Sequence, residues 1–212
     1  MTLIKICGVT LPDDAAAVAS AGVDFVGLNF WPRSKRYLAP ERAAMIAGVV
    51  RSTGKAKLVG VFVNPDPDEV SAVTMRVELD IIQLHGEESP ELCNRISKVA
   101  FRPLWKAIAV RSQADVARLD VVSAEAIVLD APTPGRGGAG AAFDHRVAAD
   151  ARAKFPAIKL VLAGGLTPHN VAAAIAQVRP WAVDVASGVE AAPGIKDPVK
   201  LAAFVAAVRG AA

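Results

Sequence analysis

The feature that most constrains the fold is a repeated alternation of short apolar runs with alanine-rich segments. The apolar runs are typical of strands and recur along the whole chain: Leu3–Cys7, Phe25–Phe30, Leu58–Val63, Ile81–Leu84, Leu104–Ala109, Ala126–Asp130, Ile158–Ala163 and Ala182–Ala186. The segments between them have helical spacing: Asp13–Ala21, Glu41–Arg51, Asp68–Val77, Pro90–Lys98, His145–Lys154, Pro168–Val178 and Pro198–Arg209. Alternating strands and helices predict an α/β fold.

The predicted strands are apolar on consecutive positions, as in a parallel sheet that helices cover. Eight evenly spaced units without an evident edge strand predict an α/β fold, a single (β/α)8 TIM barrel with parallel strands that forms one domain over residues 1–212. A doubly wound open sheet is the structural alternative. Thr167 before Pro168 and Asp197 before Pro198 are the expected helix N-caps.

Two strand-to-helix connections are longer than the others, Trp31–Pro40 and Ala131–Asp144. In a barrel these connections emerge at the C-terminal face, where the active site lies. We therefore expect both connections to border a functional site.

Composition restricts the classes of function. No apolar run approaches the roughly 20 residues of a membrane span, and no signal-peptide pattern precedes Leu3, so we expect a cytoplasmic protein without a membrane partner. The net charge of +3 comes from scattered basic residues, which disfavours nucleic-acid binding and suits an anionic small molecule. Cys7 and Cys93 are expected to stay unpaired in a reducing compartment.

Two turns of small residues follow the last two predicted strands. Gly164 and Gly165 follow the seventh strand, and Ser187 and Gly188 follow the eighth. Glycines let backbone N–H groups approach an anion closely, and barrels bind phosphate after strands 7 and 8. We predict a phosphate site there, with glycines that merely permit tight turns as the alternative.

Polar side chains at strand ends and in the long second loop are candidates for chemistry. Cys7 and Asp130 end the first and sixth strands, and a carboxyl group among apolar neighbours tends to keep the proton that a general acid needs. Asp184, near the end of the eighth strand, is expected either to face the site or to make a structural hydrogen bond inside the barrel. Arg36 is suited to bidentate binding of a carboxylate. His85 fits a structural or a catalytic role, and the histidine spacing predicts no metal site.

Taken together, eight segments resemble the motifs of phosphoribosylanthranilate isomerase, in order and over nearly the whole chain. They are Lys5-Ile6-Cys7-Gly8-Val9-Thr10, Ser34-Lys35-Arg36-Tyr37, Gly60-Val61-Phe62-Val63-Asn64, Gln83-Leu84-His85-Gly86-Glu87, Leu129-Asp130, Gly137-Gly138-Ala139-Gly140 with Phe143-Asp144, Ala163-Gly164-Gly165-Leu166, and Val183-Asp184-Val185-Ala186-Ser187-Gly188-Val189-Glu190.

The resemblance implies a cofactor-free Amadori rearrangement of N-(5-phosphoribosyl)anthranilate in tryptophan biosynthesis. Asp130 would be the general acid that protonates the ribose ring oxygen, and Cys7 the general base that removes the C2 proton. Arg36 would hold the anthranilate carboxylate, and the glycine turns the phosphate. His85 and Asp184 would also contact the substrate. The expected partner is thus a small molecule, bound by a monomer or a homodimer.

Three positions depart from the family pattern. Family members commonly have Thr or Ser where this chain has Ala139, Trp where it has His145, and Ser where it has Ala186. The related histidine-pathway isomerase is a rival interpretation, but it would be expected to use an aspartate where Cys7 stands. Indole-glycerol-phosphate synthase would need a catalytic lysine and glutamate set that is not found. A non-catalytic phosphosugar-binding module would not need both Cys7 and Asp130.

Overall fold

The computed structural model describes residues 1–110, 113–116, 124–130 and 145–211. Within these ranges, eight parallel strands close a barrel, each beside the next in the chain and the last beside the first. The predicted (β/α)8 barrel is confirmed, and closure excludes the open doubly wound sheet.

The barrel strands are Leu3–Cys7 (β1), Phe25–Asn29 (β2), Lys57–Phe62 (β3), Ile81–Leu84 (β4), Leu104–Ala109 (β5), Ala126–Asp130 (β6), Lys159–Leu162 (β7) and Ala182–Val185 (β8). A 3-10 helix, Ser187–Val189 (η1), follows the barrel, and then an antiparallel pair, Glu190–Ala192 (β9) and Ile195–Lys196 (β10). The predicted ends of β2, β3, β7 and β8 differ from the observed ends by one residue. The β9–β10 pair was not predicted.

The helices are Pro12–Ser20 (α1), Pro40–Thr53 (α2), Pro67–Val77 (α3), Pro90–Ala100 (α4), Gln113–Val116 (α5), His145–Lys154 (α6), Val171–Val178 (α7) and Pro198–Gly210 (α8). The predicted N-cap of α8 is confirmed, because the Asp197 side chain accepts hydrogen bonds from the Val199 and Lys200 amides. The short helix α5 was not predicted. No helix in the described ranges has the length and apolar character needed to span a membrane.

The predicted start of α7 was wrong. The helix begins at Val171 rather than Pro168, and Thr167 is not its N-cap. Instead the Thr167 amide donates to Asn170 Oδ1 (2.7 Å), while Asn170 Nδ2 donates to the Gly165 carbonyl (2.9 Å). Pro168 therefore lies in a turn that shapes the backbone after β7 rather than in the first turn of the helix.

Side chains on the strands alternate between the barrel interior and the helix layer. On β6, Ala126 and Val128 pack in the interior cluster, whereas Ile127 and Leu129 pack beneath the helices. The same alternation points Asp130 inward at the carboxyl end of the strand. Because both faces of each strand are covered, the runs in the sequence are apolar on consecutive positions.

Aromatic rings fill the N-terminal end of the barrel interior. Phe25 and Trp105 lie near the starts of their strands and meet edge to face with ring centroids 4.9 Å apart. Trp181, just before β8, also contacts Trp105, with centroids 5.7 Å apart. The interior is packed at this end, which leaves the C-terminal end for a cavity.

Candidate active site

The strand alternation brings the predicted acid and base into one cavity at the C-terminal end of the barrel. Cys7 of β1, Asp130 of β6 and Asp184 of β8 all line this cavity. Strands β1 and β6 are three steps apart in a ring of eight. Cys7 and Asp130 therefore face the cavity from nearly opposite sides, an arrangement that suits two separate proton transfers on one bound molecule.

The Cys7 thiol lies against a glycine on the next strand. Cys7 pairs in register with Gly27 of β2, and a β-carbon at position 27 would be only 2.7 Å from Cys7 Sγ. Burial raises the pKa of the Cys7 thiol; Lys5 opposes the rise, Asp184 adds to it and Lys196 opposes it. The raised pKa keeps the Cys7 thiol mostly protonated at neutral pH.

A buried ion pair lies beneath Cys7. Lys5 is fully buried, and its Nζ donates to Asp184 Oδ2 at 2.7 Å. Burial is the largest single influence and alone would lower the pKa of Lys5. The charges and hydrogen bonds of Asp184 and Cys7 together outweigh burial, so the pKa is raised. Asp184 Oδ1 has no hydrogen-bond partner among the described residues. Asp184 thus makes the structural contact considered for it and also faces the cavity with a spare acceptor.

Asp130 is tied to the histidine at the end of β4. His85 Nε2 lies 3.0 Å from Asp130 Oδ2, and His85 Nδ1 lies 3.2 Å from Gln83 Nε2. An amide Nε2 can only donate, so this arrangement corresponds to a histidine that carries its proton on Nε2 and donates to Asp130. His85 therefore orients the Asp130 carboxyl group and also lines the cavity.

Arg36 reaches the cavity from the long connection after β2. Its guanidinium is paired with Glu190, through Nε to Oε1 (2.8 Å) and Nη2 to Oε2 (2.6 Å). The aliphatic part of Arg36 crosses Gly8, where a β-carbon would overlap Arg36 Cδ. Gly8 also has φ +71°, a conformation that favours glycine. The glycine of the first motif thus lets Arg36 approach Cys7.

The predicted phosphate turns border the same cavity. Gly164 and Gly165 have φ of +85° and +68°, and both line the cavity with Ser187. Gly188 differs, because a β-carbon there would overlap the Leu166 carbonyl oxygen. A glycine at 188 is needed for packing η1 against the turn after β7, which is a different reason from the approach of an anion.

The cavity collects most of the residues that the sequence singled out: Cys7, Arg36, His85, Asp130, Gly164, Gly165, Asp184 and Ser187. Gly188 is not among the residues that line the cavity in the described part of the chain. Ala186 lines the cavity, whereas Ala139 and the connection Ala131–Asp144 lie outside the described residues. In the described ranges, no group of three or more His, Cys, Asp or Glu side chains is arranged to hold a metal ion.

Comparison with known proteins agrees with this geometry. The sequence profile described as N-(5'-phosphoribosyl)anthranilate isomerase matches residues 4–207. The chain belongs to the phosphoribosylanthranilate isomerase family. A family member from Bordetella pertussis is 42% identical over 211 residues, which cover 98% of this chain and 96% of that protein.

Solved structures of phosphoribosylanthranilate isomerases have the same fold. The enzyme from Thermotoga maritima is 41% identical and superposes with a TM-score of 0.88, covering 99% of this chain and 100% of that one. A second structure, 39% identical with a TM-score of 0.85 and the same coverage, is a complex with reduced 1-(o-carboxyphenylamino)-1-deoxyribulose 5-phosphate.

Sequence reasoning overlooked several residues of this site. Lys5 interrupts an apolar strand, and a charge in a buried strand signals a partner elsewhere, here Asp184. Glu190 and Lys196 carry no such signal, since they lie in the unpredicted β9–β10 pair. The sequence also gives no signal for Gly27, because its contact with Cys7 depends on the register between β1 and β2.

Proposed function

We propose that this protein isomerises N-(5'-phosphoribosyl)anthranilate to 1-(2-carboxyphenylamino)-1-deoxyribulose 5-phosphate in L-tryptophan biosynthesis. The observation that carries the proposal is that the Cys7 thiol and the Asp130 carboxyl group line one cavity in a chain that belongs to this family. The rearrangement consists of proton transfers to and from one substrate, which positioned acidic and basic side chains accelerate.

Asp130 is the proposed general acid. It gives a proton to the ribose ring oxygen, the bond from that oxygen to C1 breaks, and the anilino nitrogen supplies the electron pair that forms an iminium. The His85 contact at 3.0 Å holds the carboxyl group in one direction, so that the proton is delivered without a search over side-chain rotamers. We place His85 in contact with the substrate, beside the acid that it orients.

Cys7 is the proposed general base. The thiolate removes the C2 proton, the electrons of the C–H bond neutralise the iminium, and an enolamine forms that tautomerises to the ketone. Burial favours the protonated thiol, but a cationic iminium within the cavity favours the thiolate. The Lys5 ammonium also opposes the effect of burial.

The ends of the substrate are held by separate groups. Arg36 binds the anthranilate carboxylate, and the amides around Gly164, Gly165, Ser187 and Gly188 bind the phosphate. Asp184 Oδ1, which lacks a partner among the described residues, accepts a hydrogen bond from a substrate hydroxyl. Fixing both ends places C2 near Cys7 and the ring oxygen near Asp130.

We further propose that residues 1–212 form one catalytic domain and that the enzyme acts in the cytoplasm as a monomer or a homodimer. The proposed partner is the small-molecule substrate alone, without nucleic acid or membrane. The proposed ring opening and tautomerisation need an acid and a base, and we propose that they proceed without a cofactor.

A turnover assay tests the proposal. The purified protein is added to freshly generated phosphoribosylanthranilate, and consumption of the substrate is followed by its fluorescence. We expect a loss of fluorescence whose rate is proportional to the amount of enzyme. A folded protein that binds inorganic phosphate but consumes no substrate would instead be a phosphosugar-binding module.

A further inference from the structure

The carboxylate of Glu190 is shared between two cations of the site. It lies at the start of β9, is 7% exposed, and accepts from Arg36 Nε at 2.8 Å and from Lys196 Nζ at 2.9 Å. Burial alone would raise the pKa of Glu190, but the hydrogen bonds and charges of Arg36 and Lys196 outweigh burial and lower it. Glu190 is therefore ionised at neutral pH.

The contact with Glu190 fixes the direction of the Arg36 guanidinium. Glu190 occupies the edge formed by Nε and Nη2. A planar guanidinium has a second edge, formed by Nη1 and Nη2, that can bind another carboxylate bidentately. Arg36 lines the cavity, and its Nη1 donates to no side chain in the described part of the chain. The second edge is thus left for a ligand.

Lys196 links the same carboxylate to the main chain of the proposed base. It is 4% exposed, and its Nζ donates to the Cys7 carbonyl oxygen at 2.6 Å as well as to Glu190. The Lys196 amide donates to Asp14 Oδ2 at 2.8 Å, which anchors β10 to α1. Burial lowers the pKa of Lys196, and the charge of Glu190 opposes that effect. With Lys196 protonated, Arg36, Lys196 and Glu190 together carry two positive charges and one negative charge, which leaves one positive charge to balance a carboxylate.

We propose that Glu190 and Lys196 are positioning residues that hold the free edge of Arg36 toward the carboxylate of the substrate. Recognition of that carboxylate therefore depends on Glu190, although Glu190 itself does not touch the substrate. The inference rests on the proposed function. A carboxylate paired with Arg36 would instead be a competitor if the substrate had to displace it.

Binding of two ligands distinguishes these cases. The first is reduced 1-(o-carboxyphenylamino)-1-deoxyribulose 5-phosphate, and the second is the corresponding phenylamino compound, which lacks the ring carboxylate. Affinities are measured by titration calorimetry for the parent, Glu190→Gln and Glu88→Gln. Glu88 is the matched control, since its buried carboxylate pairs with Lys106 at 3.0 Å, away from Arg36.

We expect Glu190→Gln to weaken binding of the carboxylate ligand by about tenfold or more, or about 1.4 kcal/mol. Binding of the phenylamino ligand should change by less than about threefold. Glu88→Gln should change both affinities by the same factor. Lys196→Met should show the same dependence on the ring carboxylate as Glu190→Gln, and it carries the test if Glu190→Gln does not fold.

Equal losses for both ligands in Glu190→Gln would overturn the inference, because they would show a structural role only. Tighter binding of the carboxylate ligand would overturn it too, because Glu190 would then be a competitor. If the folded parent binds neither ligand, the proposed function itself fails, which separates that result from the other two.

Discussion

Substituting the glycine that faces the Cys7 thiol should displace the base without removing any polar group. In Gly27→Ala, the new β-carbon would lie 2.7 Å from Cys7 Sγ and 3.0 Å from Cys7 Cα. Ordinary contacts between such atoms are about 3.5 Å, so Sγ must move by roughly 0.8 Å. A misplacement of about 1 Å can lower a rate by about 100-fold. We expect kcat to fall by about 10- to 100-fold with KM nearly unchanged.

The assay measures kcat and KM beside thermal unfolding. Overpacking between β1 and β2 should lower stability by about 1–3 kcal/mol, so circular dichroism must show that the variant is folded at the assay temperature. The matched control is Gly48→Ala on α2, where a β-carbon meets nothing within 4 Å. The control should keep its kcat. A folded Gly27→Ala with kcat within about twofold of the parent would refute the argument that the thiol position limits catalysis.

Two further predictions concern the base and the phosphate turn. The pKa of Cys7 is raised, and the thiolate is the reactive form. We therefore expect kcat/KM to be still rising with pH at about 8.5, the ordinary pKa of a thiol. A plateau of kcat/KM below that pH would contradict the assignment of Cys7 as the base. Gly165→Ala and Gly22→Ala both place alanine at positive φ, +68° and +70°, and each should cost about 1–2 kcal/mol of stability. Inhibition by inorganic phosphate should weaken about tenfold in Gly165→Ala but not in Gly22→Ala, because Gly22 lies at the other end of the barrel. Equal phosphate inhibition of the two variants would count against a phosphate site at the turn after β7.

The sequence predicted the barrel and the inward direction of the strand-end residues because both follow from local pattern. Period-two alternation alone points Asp130 to the same face as Ala126 and Val128. Similarly, small-residue turns after the last two barrel strands predicted the border of the cavity. Such features need no knowledge of which distant residues come together.

Features that depend on distant contacts could not be predicted in this way. Arg36 pairs with Glu190, 154 positions away in the chain, and no local pattern indicates that pairing. The sequence suggested only that Gly188 lets an anion approach, and the contact with the Leu166 carbonyl, which adds a packing reason for this glycine, has no local signal. Likewise, Thr167 and Pro168 have the composition of a helix start, but Asn170 turns its side chain back to Thr167 and Gly165.

The most direct test of the proposed acid–base pair is kcat of Cys7→Ala and of Asp130→Asn with phosphoribosylanthranilate. Each variant removes one proton transfer while Arg36 and the phosphate turns stay in place. We predict that kcat falls by at least about 100-fold in each variant with KM within about threefold of the parent. A folded variant of either residue that keeps near-full kcat would contradict the account.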